Sequence, residues 1–345
     1  MSSDWPTYSA MSRGRRDQLA RSSSGVVAVG AIHRWVAMNG SVYPRGGGTI
    51  GRMTRWNTTL LRSGRFWLDA GCMFGIIPRV VWMKWFPASG DGAIDAANRM
   101  PLQQNGLLLE SGGRLVVVEV GIGDKFGAKE AAMYSQACRP DGRPRAVHDA
   151  LAEHGARPED VNAVIVTHLH FDHAGGLTRL DPAHPDRPRL TFPNAEIFVQ
   201  RREIEDALAG RSTMNKTYLP GHLTPEVRER FRPVDGEREV LAGITVFPTP
   251  GHTWGQQCVR FADRKGRTVC FVNDVMPTAR HARPTTNLSY DVEPYTSMLE
   301  RAKLLERAER ERWTLVLDHE DGHPVFTVGR DAENPKAHAL VRAEL

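Results

Sequence analysis

Apolar residues recur along this chain at two spacings, and together they predict strands alternating with helices from about residue 65 onward. Alternating or continuous apolar runs predict strands at 66–68, 107–120 (a hairpin), 161–167, 196–199, 244–247, 257–261, 268–272 and 313–317. A spacing near 3.6 residues predicts helices at 146–154, 201–208 and 294–312. Because strands and helices are mixed over this whole length, the pattern predicts a layered domain of sheets covered by helices.

The first 62 residues differ from the rest in composition. They are rich in Ser, Gly and Arg and show no sustained apolar period, which predicts a disordered or weakly ordered basic extension (1–62) before a folded domain (63–345). The net charge is +8 over residues 1–65, which leaves −3 for residues 66–345 against a total of +5. The mildly acidic domain does not favour nucleic acid as a partner.

Cysteine use and hydropathy indicate the compartment. Four cysteines without CxxC spacing predict a reduced, cytoplasmic protein, with Cys258 and Cys270 as neighbouring buried thiols in one hairpin. No apolar run reaches the length of a membrane-spanning helix, so no membrane association is expected. The pair Arg15-Arg16 before the apolar stretch 25–32 faintly resembles an export signal, but His33 follows that stretch directly and weakens this interpretation.

A dense group of metal-ligand residues follows the predicted strand 161–167. The sequence THLHFDHAGG covers 167–176, and residues two apart in an extended chain project to the same side. His168 and His170 can therefore meet at one metal ion, while Asp172 and His173 lie beyond a turn and can reach a second. A polar loop with incidental histidines is the weaker interpretation, because such a cluster is costly to bury without a metal.

Further ligand types stand at the ends of three later strands. His252 follows the strand 244–247, Asp274 follows 268–272, and His319 follows 313–317. Each alone is as well explained by a turn, a helix cap or a surface residue. Together with the 168–173 group they predict one His/Asp site, and the absence of nearby cysteine favours an open zinc, iron or manganese site over a closed structural one.

The intact HxHxDH motif at 168–173 resembles that of the metallo-β-lactamase superfamily, over roughly residues 64–330. The resemblance implies an α+β fold, a four-layer αββα sandwich, with two zinc ions at one edge (iron or manganese are alternatives). It also implies the ligands: His168, His170 and His252 for the first ion, Asp172, His173 and His319 for the second, and Asp274 bridging both. His323 is the competing candidate for the last ligand.

The same resemblance implies a metal-dependent hydrolase. A hydroxide shared by the two ions would attack a small ester, lactone or related substrate, and Asp172 would carry the proton to the leaving group. One alternative is an iron oxidoreductase with a single metal, of the persulfide-dioxygenase kind. Another is a phosphodiester or organophosphate hydrolase on the same fold. The expected partner is a small molecule, and a homodimer is left open.

Finer features resemble the lactonase and methyl-parathion-hydrolase branch, at 71–78, 121–125 and 274–278. The bridging Asp274 argues against antibiotic hydrolysis, because true class B lactamases generally lack it. Pro277 stands where the best-known lactonases have Tyr, so lactone specificity is in question and Tyr290 is a candidate to approach the site instead. His281 either faces substrate or lies in a solvated loop. The apolar segment 73–86 either walls the pocket, contacts a second subunit or belongs to the core.

Overall fold

The structure of this protein is a computed structural model that describes residues 54–181, 183–211, 215–332, 334 and 337–345. Its strands, in chain order, are β1 (Asn57–Asp69), β2 (Arg99–Ser111), β3 (Arg114–Val118), β4 (Ala163–Ile165), β5 (Thr178–Asp181), β6 (His184–Leu190), β7 (Glu196–Gln200), β8 (Phe231–Val234), β9 (Arg238–Leu241), β10 (Ile244–Pro248), β11 (Gln257–Ala262), β12 (Thr268–Val272), β13 (Thr314–Leu317), β14 (Val325–Arg330) and β15 (His338–Arg342). The predicted extension 1–62 falls largely outside the described residues.

The strands form two large mixed sheets and a separate hairpin. The first sheet has the order β1-β2-β3-β4-β7-β8, the second has the order β15-β14-β13-β12-β11-β10-β9, and β5 and β6 form a two-stranded sheet. Strands β12 and β13 are parallel, while β10, β11 and β12 are antiparallel in succession. Consequently β10, β12 and β13 all run the same way, and their carboxyl ends lie at one edge of the second sheet.

Short helices and one long helix connect the strands. The α-helices are α1 (Ala70–Met73), α2 (Arg79–Trp82), α3 (Ala128–Met133), α4 (Val147–Glu153), α5 (Phe171–Ala174), α6 (Arg201–Ala209), α7 (Pro225–Glu229) and α8 (Pro294–Glu311). Single 3₁₀ turns occur at Met83–Trp85, Pro158–Asp160, Gly175–Leu177, Asn215–Thr217 and Ala279–Ala282. Helix α8 supplies the long crossover that the parallel pair β12 and β13 requires.

Alternation along the buried strands explains why the molecule has four layers. In β2, Leu107 and Leu109 pack between the two sheets, whereas Leu108 packs on the outer face of the first sheet against α4. In the second sheet, Val316 faces the inner core and Leu315 packs outward against α8. Each central strand is thus covered on both faces, which accounts for its continuous apolar sequence. The predicted αββα sandwich is confirmed.

Most predicted elements are confirmed within a few residues, but the predicted domain boundary differs. Strand β1 begins at Asn57, so the last six residues assigned to the extension pair with β2 as an edge of the first sheet. The predicted hairpin of buried thiols is also confirmed: Cys258 and Cys270 are buried and free on β11 and β12. Within the described residues, no helix has the length and apolar character needed to cross a membrane.

Candidate metal centre

The predicted site residues meet where four strands end. The loop after β4 carries the 168–173 motif, the loop after β10 carries His252, and the segments after β12 and β13 carry Asp274 and His319. All seven predicted ligands are at least 90% buried, with Asp172 the most exposed at 8%. The structure therefore brings together side chains that are up to 151 positions apart in the sequence.

Three histidines form the first group. Nδ1 of His170 lies 3.2 Å from Nε2 of His168 and 3.0 Å from Nε2 of His252. Ligand atoms around a tetrahedral zinc ion, with bonds of about 2.0–2.1 Å, are separated by about 3.3 Å. The three nitrogens therefore have the spacing of one metal's coordination shell, with His170 offering the nitrogen nearer to its backbone.

The second group contains His173, His319 and Asp274. Nε2 of His173 lies 3.1 Å from Nε2 of His319. Oδ2 of Asp274 lies 3.5 Å from Nε2 of His173, and Oδ1 of Asp274 lies 3.4 Å from Nε2 of His319. Asp172 is slightly farther out, 3.8 Å from Nε2 of His173 and 3.7 Å from Nε2 of His319. Asp172 thus lies on the outer side of this group.

Asp274 stands between the two groups. Its Oδ2 atom is 3.1 Å from Nε2 of His252 in the first group, and Oδ1 is the oxygen nearer His319 in the second. Asp274 is the one predicted ligand whose carboxylate reaches nitrogens of both groups at 3.5 Å or less. This is the position that a carboxylate bridging two metal ions would occupy.

Asp318 is a member of the second group that sequence reasoning did not assign. Its ligand atom lies within 4.8 Å of those of His173, Asp274 and His319, and in the described part of the chain both of its carboxylate oxygens are buried without a hydrogen-bond partner. Burial raises the pKa of Asp318 well above its usual range, and the neighbouring Asp274 raises it further. The sequence feature that could have identified Asp318 as a candidate ligand is its position directly before His319.

The far side of four of the five histidine rings is held by another group, which fixes how the ring is turned. Such outer contacts orient metal-ligating histidines and select their tautomer. Four of them are present: His168 Nδ1 with Thr167 Oγ1 at 3.1 Å, His173 Nδ1 with Glu119 Oε2 at 3.2 Å, His252 Nδ1 with Asp291 Oδ1 at 3.1 Å, and His319 Nδ1 with the Gln103 carbonyl at 3.0 Å. In each case Nε2 remains directed at the centre.

Electrostatics act differently on the individual ligands: in the first group, burial acts to lower the pKa of His252, but Asp274 and Asp291 raise it above its ordinary value. Burial lowers the pKa of His168 and His170 well below its ordinary value, and the neighbouring histidines lower it further. Burial also acts to lower the pKa of His173, but the nearby carboxylates, Asp172 foremost, raise it well above that value. Burial acts to raise the pKa of Asp274, yet the surrounding histidines hold it well below its usual range.

The donor set fits a pair of divalent ions. The three imidazoles of the first group direct ring nitrogens at one point at separations of 3.0–3.2 Å, and Nδ1 of His170 cannot pair with both neighbouring nitrogens through a single proton. In the second group, Oδ1 of Asp274 is buried and has no hydrogen-bond partner among the described residues. Positive charge between the groups would satisfy both conditions, and nitrogen and carboxylate ligands without thiolate suit zinc, iron or manganese.

A small cavity of about 140 Å³ opens onto this centre. Five of the predicted ligands reach its wall, namely His170, Asp172, His252, Asp274 and His319. The rest of the wall is apolar or neutral: Leu68, Met73, Phe171 and Leu288, with Tyr134, Thr217 and Tyr290. The cavity is therefore a mostly apolar recess with the candidate metal ligands at its base.

The structure also locates the other residues that the sequence offered as candidates for the site. His323 points away, with Nε2 2.8 Å from the Ala343 carbonyl, so His319 and not His323 belongs to the centre. His281 is neither at the substrate cavity nor solvated, because it is buried with Nε2 2.8 Å from the Met73 carbonyl. Tyr290 does line the cavity. In the segment 73–86, Met73 lines the cavity, whereas Ile76 is 90% exposed.

An αββα sandwich with two His/Asp clusters at the carboxyl ends of its strands defines a class of divalent-metal proteins. The sequence profile described as "Metallo-beta-lactamase superfamily" matches residues 99–319 of this chain. The chain belongs to this superfamily. The recognition made from the HxHxDH motif is confirmed.

Several curated relatives of this chain are N-acyl homoserine lactonases. The chain is 28% identical over 184 residues to an N-acyl homoserine lactonase of Bacillus thuringiensis, covering 53% of this chain and 61% of that protein. The chain therefore spans less than two thirds of the length of this relative. It shares its fold with a probable metal-dependent hydrolase from Staphylococcus aureus (TM-score 0.70, 23% identity, 86% of this chain and 100% of the other).

A second solved structure with this fold is AidC, a dizinc quorum-quenching lactonase in complex with its product. The TM-score is 0.65 at 16% identity, with 86% of this chain and 97% of the other covered. At these identities the structural likeness establishes the fold and nothing further. The function is therefore inferred from the residues of the centre.

Proposed function

We propose that this protein is a hydrolase with two zinc ions that cleaves a small, uncharged ester or lactone. The observation that carries this proposal is the position of Asp274, whose carboxylate lies within 3.5 Å of histidine nitrogens in both groups. When bound, two zinc ions would lower the pKa of a shared water to near neutrality, supplying a hydroxide nucleophile, and would polarise the substrate oxygen.

The chain's own residues would prepare and complete the reaction. His168, His170 and His252 hold one side of the centre, and His173 and His319 hold the other. Asp172 lies on the cavity wall, so its carboxylate is placed to accept the proton of the attacking water and return it to the leaving oxygen. The mostly apolar wall lowers the local dielectric around the centre, which strengthens each of these electrostatic contacts.

The cavity wall favours neutral substrates. Among the described residues that line it, none is Lys or Arg, and the groups beyond the candidate ligands are apolar or uncharged. A phosphodiester carries a permanent negative charge, and beyond the proposed metal ions this wall offers that charge no cationic side chain. The wall therefore supports an ester or lactone over a phosphodiester, whereas an organophosphate triester, which is neutral, remains compatible.

The second group of ligands supports two metals over one. An iron oxidoreductase with a single metal would use two histidines and a carboxylate and would leave the other side of the centre without a role. Here both groups are buried, and nitrogens of His173 and His319 converge at 3.1 Å. Burying such a second group without an ion would be unfavourable.

A substrate panel tests this proposal. Zinc-loaded protein is assayed with p-nitrophenyl acetate, a γ-butyrolactone read by a pH indicator, bis(p-nitrophenyl) phosphate and a p-nitrophenyl phosphotriester. We expect kcat/KM for the ester or lactone to exceed that for the phosphodiester by about tenfold or more, equivalent to about 1.4 kcal/mol of transition-state binding.

Two results would contradict this proposal. A preference for the phosphodiester would overturn the neutral-substrate assignment. The second is a purified protein that retains one iron ion, hydrolyses none of these substrates and consumes oxygen when a persulfide is added. That result would identify an iron oxidoreductase and not a hydrolase. The matched control is protein stripped of metal and reloaded, which should regain the activity that stripping removes.

A further inference from the structure

We infer that Glu203 is a positioning residue that sets the geometry of the three-histidine group, an inference that rests on the proposed metal centre. Glu203 lies near the start of α6 and is fully buried. It does not touch the cavity and is not a ligand. Its carboxylate instead contacts the segments on which the three histidines lie.

Two of its contacts are to residues that adjoin the ligands in sequence. Oε1 of Glu203 accepts a hydrogen bond from the backbone N–H of Leu169 at 2.9 Å, and Leu169 lies between His168 and His170. Oε2 accepts a hydrogen bond from the hydroxyl of Thr253 at 2.6 Å, and Thr253 directly follows His252. One carboxylate thus ties together two loops that are separated by more than 80 positions in the chain.

The third contact reaches the same group through a ring. The Tyr218 hydroxyl donates to Oε1 of Glu203 at 3.2 Å, and the Tyr218 ring packs on the ring of His170 with centroids 5.0 Å apart. No hydrogen-bond partner is present for Nε2 of His170 in the described part of the chain, so this packing is what limits its rotation on that side. Glu203 therefore influences the orientation of all three histidines.

The backbone is adapted to this arrangement. A side chain on Gly255 would overlap the backbone of Glu203, so glycine is what allows the loop after His252 to approach the start of α6. Three donors converge on the carboxylate, and no Lys or Arg in the described residues forms an ion pair with it. The free-energy cost of burying this carboxylate is offset by its hydrogen bonds, which are charge-assisted and directional.

The test is metal affinity measured on Glu203→Gln by competition with a chromophoric zinc chelator. An amide has one acceptor oxygen, and its NH₂ group would face donors, so the three contacts cannot all persist. Changes in groups that orient metal ligands typically weaken metal binding by about 10-fold to 100-fold. We expect a loss of that size for one of the two ions, with the other ion affected little.

The matched control is Asp206→Asn. Asp206 lies on the same helix, is 1% exposed and accepts from Nε of Arg202 at 2.5 Å, but within the described residues it makes no hydrogen bond or ion pair with the ligand loops. It therefore reports the effect of removing a buried negative charge from α6. A merely structural role for Glu203 predicts equal losses of stability and of zinc affinity in both variants, whereas positioning predicts that only Glu203→Gln loses affinity.

A second variant covers the case in which Glu203→Gln does not fold. Thr253→Val removes one donor and leaves Glu203 in place, and we expect it to weaken the same ion's binding by a smaller factor. Cobalt-substituted protein gives an independent readout, because its visible absorption reports the geometry of the histidine site. Wild-type affinity for both ions, with an unchanged cobalt spectrum, in Glu203→Gln or in folded Thr253→Val would overturn the inference. If wild-type protein itself binds fewer than two ions, the proposed centre fails instead.

Discussion

Replacing Asp274 by alanine is expected to lower kcat/KM for the preferred ester or lactone by about a thousandfold or more. Asp274 is the carboxylate that lies between the two histidine groups, so its loss weakens both proposed ions at once. Metal ions contribute several kcal/mol of transition-state stabilisation, and each 1.36 kcal/mol corresponds to a factor of ten in rate. The measurement is steady-state kinetics combined with metal analysis of the same sample.

The control for this prediction is Asp263→Asn. Asp263 is also buried, at 4% exposure, but it pairs with Arg267 in the turn between β11 and β12, away from the strand ends that carry the centre. We expect that variant to keep wild-type zinc content and activity while it is folded. Asp274→Ala protein with full metal content and full esterase activity would contradict the bridging role.

Arg301→Leu is expected to destabilise the protein by about 3–5 kcal/mol, the range typical of breaking a buried charged network. Arg301 on α8 is 2% exposed and holds the long segment that follows Asp274. It donates to the carbonyls of Val275 at 2.8 Å and His281 at 3.0 Å, and further acceptors are Arg283, Thr286 and Asn287. Leucine would leave these acceptors buried without donors.

Chemical denaturation with urea measures this loss as a shift of the unfolding midpoint at constant slope. The control is Arg310→Leu on the same helix, because Arg310 is largely exposed and its ion pair with Glu311 is of the kind that contributes little. Equal midpoints for the Arg301 and Arg310 variants would show that Arg301 is not the support of this segment.

The fold could be predicted where the local apolar pattern and the tertiary environment agree. Strands β3, β4, β12 and β13 are covered on both faces, so their sequences are continuous apolar runs that are readily recognised. The ligands follow such strands within a few residues. The order of strand ends along the chain was therefore sufficient to predict which side chains converge.

The first half of β2 could not be predicted from its local pattern. It contains the polar run Gln103, Gln104 and Asn105, all buried. The amide of Asn105 donates to the carbonyls of Leu317 at 3.0 Å and Glu320 at 2.9 Å, on either side of His319. These partners are more than 200 positions away, so nothing near Asn105 in the sequence indicates that a polar strand is buried there to hold the last ligand loop.

The outer contacts of the centre were missed for a related reason. Glu119, Glu203 and Asp291 are single acidic residues without a motif, and each becomes important only because the fold places it behind a ligand. A single carboxylate in a sequence is most often a solvated surface group. The ligands themselves were recognisable because four of them occur within six residues.

The central claim is that seven side chains from four strand ends hold two metal ions. X-ray diffraction from crystals of zinc-loaded protein, with data collected on both sides of the zinc absorption edge, tests it most directly. We expect two anomalous peaks about 3.5–4 Å apart, one among His168, His170 and His252 and one beside His173 and His319, with Asp274 between them. A single peak, or peaks remote from Asp274, would contradict it.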